Sequence, residues 1–144
     1  MKPTPELVLN QAFGRIAFEM GPALPAGYGQ GSAMLIGVQL LLVSQEFNRA
    51  AAVRVTENDA MRDLFAEYCG KVEPALRGDL RQAADSKDAD ILVSTLEKSN
   101  AELKKVLIRL QETAENASDK VLEARILAML QAWAAARQVF LPAM

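Results

Sequence analysis

With no histidine in its 144 residues, this chain offers carboxylates, one thiol, Tyr28 and a glycine-rich loop as candidates for chemistry. Without imidazole the chain lacks the commonest general base, the usual zinc ligand and the Glu-x-x-His pairs of di-iron bundles. Cys69 is the only cysteine, so thiolate metal sites and an intramolecular disulfide are both excluded. No histidine can activate its thiol, and a place beside Phe65 and Tyr68 on a helix suits a small core residue. Glu19 and Glu46 could work as an acid–base pair only if the fold brought them together. Glu112 and Glu115 have a Glu-x-x-Glu spacing, but on a charged surface near a turn, a poor setting for a metal. The sequence therefore assigns no catalytic, cofactor-binding or metal-binding residue.

Two binding possibilities are weaker. Gly27, Gly29 and Gly31 lead into a helix start, where backbone N–H groups can cradle an anion. No strand precedes them, no Lys follows at the P-loop spacing, and the dinucleotide-binding spacing is absent, so a plain linker with Ser32 as helix cap is expected. Met129 and Trp133, with Gln39 from the central apolar run, could line a pocket for an acyl chain, although an aromatic seam is more often simple core. Gln39 itself is expected to be a hydrogen-bonded core amide.

These residues lie on helices. Ala33–Val43 is apolar around the whole helical circumference, which predicts a central helix enclosed by others. Its apolar run is about half the roughly 20 residues of a membrane span, so no span is expected. Thr4-Pro5-Glu6 is a helix start, with a hydroxyl cap, a proline at the first position and an acid in the first turn. Leu9, Phe13, Ile16 and Met20 form one stripe behind it. Thr56-Glu57-Asn58-Asp59 reads as a fresh helix start or as a continuation, and Glu73-Pro74 opens another helix.

From Ala89 to Leu141 there is neither Gly nor Pro, which predicts a hairpin of two long helices. Leu92, Leu96, Ser99, Leu103, Val106, Leu110 and Thr113 mark the seam of the first, and Asn116 or Ser118 caps the second. The second repeats the seam at Leu122, Ile126, Met129, Trp133, Ala136 and Phe140. Helices are thus expected near residues 5–20, 32–55, 57–69, 74–84, 89–114 and 118–140: an all-α, up-and-down bundle of five to six helices in a single domain, 1–144.

Pro-x-Glu-Leu near the start, Met20-Gly21-Pro22-Ala23-Leu24-Pro25, and the acid and arginine at Glu46 and Arg49 resemble a small all-helical family of unknown function. Its members are found beside acyl-CoA dehydrogenases and aminoglycoside-phosphotransferase-like proteins. The resemblance covers about the first 55 residues and implies genomic context but no functional residues.

Half of the residues are hydrophobic and the net charge is −2, so no basic field attracts nucleic acid. A lone thiol and the lack of a signal-peptide core imply a cytoplasmic protein. Missing catalytic sets and abundant apolar helix surface point to a non-enzymatic interaction or accessory protein. An apolar-ligand carrier, or an enzyme using carboxylates and Tyr28, is the other reading. In the last helix Leu127, Ala128, Ala132 and Ala135 lie outside the seam, which predicts a homodimer built on this face unless the first helix covers it.

Overall fold

The computed structural model describes residues 2–141, and within them the protein is all-α, a helical bundle without strands. Its helices are α1 (Pro5–Gly14), a π-helical turn (Arg15–Met20), α2 (Gly21–Ala23), α3 (Tyr28–Phe47), α4 (Ala50–Tyr68), α5 (Pro74–Asp85), α6 (Val93–Ala117) and α7 (Lys120–Ala136). The chain divides into two compact units, one of residues 2–50 with 139–141, the other Ala51–Gln138. Among the described residues no helix is long and apolar enough to cross a membrane.

In the first unit Thr4 caps α1, its Oγ1 accepting from the Leu7 N–H at 3.3 Å, with Pro5 at the first position as the sequence predicts. The π-helical turn then inserts extra backbone into the winding and rotates the apolar stripe. Ala17, which the pattern left out, becomes the buried residue, while Met20 is exposed. Gly37 of α3 meets this surface, and a Cβ there would lie 3.3 Å from Phe13 and 3.4 Å from Ala17. The missing side chain is what lets the helices approach.

α3 differs from expectation at both ends. It starts at Tyr28 and is capped by Gly27, whose φ of +140° only glycine adopts readily, so Ser32 lies inside the helix and caps nothing. It ends at Phe47, and helix resumes at Ala50. Nor is α3 enclosed: Gly37, Leu41 and Ser44 are buried, whereas Leu35, Ile36, Val43 and Phe47 are half or more exposed. Ser44 donates to Asn10 of α1 at 2.7 Å, and Gln45 grips the Phe140 backbone, donating to its carbonyl at 2.6 Å and accepting from its N–H at 2.9 Å.

The second unit has a dense core of Met61, Leu64, Phe65, Tyr68, Leu80, Leu107, Leu110, Ile126 and Trp133. Burying each large side chain contributes roughly 1.5–3 kcal/mol. α4 runs straight through the alternative start at residues 56–59, the Thr56 hydroxyl bonding back to the Ala52 carbonyl at 3.0 Å. The α6 seam is Leu96, Asn100, Leu103, Leu107, Leu110 and Ala114, so Asn100, Leu107 and Ala114 replace the expected Ser99, Val106 and Thr113. Leu92 precedes the helix and is exposed. Neither Asn116 nor Ser118 caps α7: Asn116 is still in α6, and Ser118 ends that helix in the left-handed region at φ +55°. Asp119 is the cap, accepting from the Leu122 N–H at 3.0 Å. α7 stops at Ala136, leaving Phe140 beyond the helix and exposed.

Candidate functional site

Among the described residues, Ser44, Glu57, Asn58 and Asn100 are the buried polar side chains, and the last three form one cluster inside the second unit. The uninterrupted winding of α4 turns Glu57 and Asn58 inward, where the seam of α6 presents Asn100. Arg137, just past α7, grips Glu57 through two hydrogen bonds, Nε to Oε1 and Nη2 to Oε2, both 2.7 Å. Lys104 stands 3.7 Å from the same carboxylate and 5.7 Å from the centre of the Trp133 ring. Asn100 donates to Glu57 at 3.0 Å and to Asn58 at 2.9 Å. Asn58 donates onward to Asp88 at 3.1 Å, and Arg62 closes on Asp88 at 2.8 and 3.1 Å.

The electrostatics of this cluster hold its two carboxyl groups in the charged form. Burial alone would push the Glu57 carboxyl up, but the hydrogen bonds and charge of Arg137, with Asn100 and Lys104, outweigh it and hold the group below its ordinary value. Asp88 is lowered too, chiefly by its hydrogen bonds from Arg62. A general acid or base near neutral pH needs the opposite displacement. The arrangement instead ties α4, α6 and the residue after α7 together with matched charges.

The other candidates are dispersed. Glu19 and Glu46 each face an arginine, Arg15 at 3.8 Å and Arg49 at 3.1 Å, and each ion pair joins residues close in the chain. Glu112 and Glu115 are exposed, Glu115 accepting from Gln111 at 2.8 Å, and the described residues contain no metal-competent group of His, Cys, Asp and Glu. Cys69 is half-buried against the core, its thiol donating to the Ala66 carbonyl at 3.2 Å. The glycine loop borders a cleft of about 370 Å3 lined by Ala17, Gly21, Pro22, Gly27, Gln30, Gly31 and Met34, none of them charged.

Of the expected apolar pocket, Trp133 is buried and Met129 packs against the core of the second unit. Gln39 is exposed on α3, so the expected core amide is not found there. It lies two positions after Gly37, which is about 200° around a helix of 3.6 residues per turn, and Gly37 marks the face that packs on α1.

The expected interface residues Leu127, Ala128, Ala132 and Ala135 are all exposed on α7. Leu130 is 38% exposed beside them. The sequence reading missed the bare face of α3, where Leu35 is 67% and Val43 53% exposed. One signal could have found it: no charged residue occurs from Met20 to Gln45. Compared with family models, with curated proteins and with solved structures, the chain matches none.

Proposed function

We propose that the protein is a non-enzymatic helical interaction or accessory module that self-associates as a homodimer in the cytoplasm. The observation that carries this is the large apolar surface on two helices, Leu35, Ile36, Val43 and Phe47 on α3 and Leu127 and Leu130 with the alanines of α7. Contiguous apolar patches beyond a few hundred Å2 are unusual on monomers. The buried polar cluster supports the same reading, because Glu57 and Asp88 are paired with arginines that hold both carboxyls below their ordinary values. The resemblance of the first 55 residues to a family found beside metabolic enzymes fits an accessory role.

Light scattering on the purified protein tests self-association. A dimer is expected at micromolar concentration, and a monomer overturns the proposal. Turnover of a substrate by the isolated protein overturns the non-enzymatic part.

A further inference from the structure

α3 turns one face onto α1 and shows the other to solvent. At the centre of the exposed face stands Gln39, the one polar side chain among its neighbours at three and four residues on either side. Those neighbours are Leu35 and Ile36 before it and Leu42 and Val43 after it, an arrangement symmetric about Gln39. Residues three and four apart share a helix face, so the five side chains form one patch. Leu35, Ile36 and Val43 are 67%, 50% and 53% exposed, and Leu42 is half-buried.

We infer that a second copy of this chain covers that patch, with the two α3 helices antiparallel and Gln39 on the two-fold axis. This rests on the self-association proposed above and assigns its surface. Three properties favour a second copy over another occupant. A two-fold contact requires a surface complementary to itself, and an antiparallel crossing at Gln39 sets Leu35 against Val43 and Ile36 against Leu42 of the second copy. A carboxamide both donates and accepts, so two glutamines meeting on the axis satisfy each other, as one charged side chain meeting its own kind cannot. With no charged residue from Met20 to Gln45, closing the face strips no ion of water and offers nothing to a charged partner. The α7 face is the weaker candidate, since Arg125 and Arg137 flank it and its small side chains bury less apolar surface.

The test uses the full chain with Cys69→Ser to remove the native thiol. Helix axes about 8–10 Å apart bring facing Cα atoms within disulfide reach. Oxidation should link Gln39→Cys to its own copy. Leu35→Cys alone should stay unlinked, and Leu35→Cys with Val43→Cys should link. Separately, Gln39→Glu places two carboxylates on the axis and should raise the dimer dissociation constant about a hundredfold or more, with helical circular dichroism unchanged. A wild-type monomer overturns both this inference and the self-association reading. A wild-type dimer that Ala132→Arg dissociates, while Gln39→Cys fails to link and Gln39→Glu has no effect, overturns this placement alone and moves the contact to α7. Self-linking of Leu35→Cys and Val43→Cys separately would mean parallel helices and also overturns it.

Discussion

Leu64 and Leu35 are the same side chain in two settings, 2% exposed in the core of the second unit and 67% exposed on α3 of the first. The second unit buries a core of large apolar residues on four helices, while Leu127 and Val121 stay exposed on α7, and places its buried charge in matched pairs. The first is a helical hairpin that packs through Ala17, Gly37, Leu41 and Ser44 and leaves larger side chains outside. Burial fraction sets how much a side chain contributes to folding. Stability should therefore concentrate in the second unit and association in the first.

The largest expected effect is in that core. Phe65→Ala removes a fully buried ring and should cost about 3–5 kcal/mol in urea unfolding; a cost below about 1 kcal/mol would contradict the core described here. The ion pair comes next. Arg137→Ala leaves the Glu57 carboxylate buried with weaker partners and should cost roughly 3 kcal/mol.

The same variant has a pH signature. Glu57 and Asp88 are held below their ordinary values in the fold, so between their folded and unfolded values the unfolded chain binds more protons. Their contribution is complete above about pH 4–5 and is lost as pH falls through the folded values. Arg137→Ala should raise the midpoint of acid unfolding, followed by Trp133 fluorescence, and an unmoved midpoint would show that the pair does not set it.

A smaller effect belongs to the α7 cap: Asp119→Ala should cost about 1 kcal/mol without changing the association state. Leu35→Ala sharpens the comparison most. In the Gln39→Glu background, where association is removed, it should shift unfolding by no more than about 0.5 kcal/mol. Leu64→Ala in that background should cost about 2–5 kcal/mol. Equal costs would remove the distinction between the two units.

The sequence by itself determined the all-α class, the two long C-terminal helices and the starts at Thr4-Pro5 and Glu73-Pro74, because helical periodicity, proline placement and caps act within a few residues. Only the tertiary structure decided which polar residues go inside. Asn100 occupies a seam position, where hydropathy counts against it, because Glu57 and Asn58 are waiting more than 40 residues away. Glu57 is matched by an arginine 80 residues distant, and Gln45 by the backbone of Phe140, 95 residues on. Gln39 shows the converse: an apolar run suggested burial, but the close approach of Gly37 to Phe13 and Ala17 fixed the packed face and turned Gln39 to solvent. A local pattern states which residues share a helix face; which face meets a neighbour depends on partners that only folding brings near.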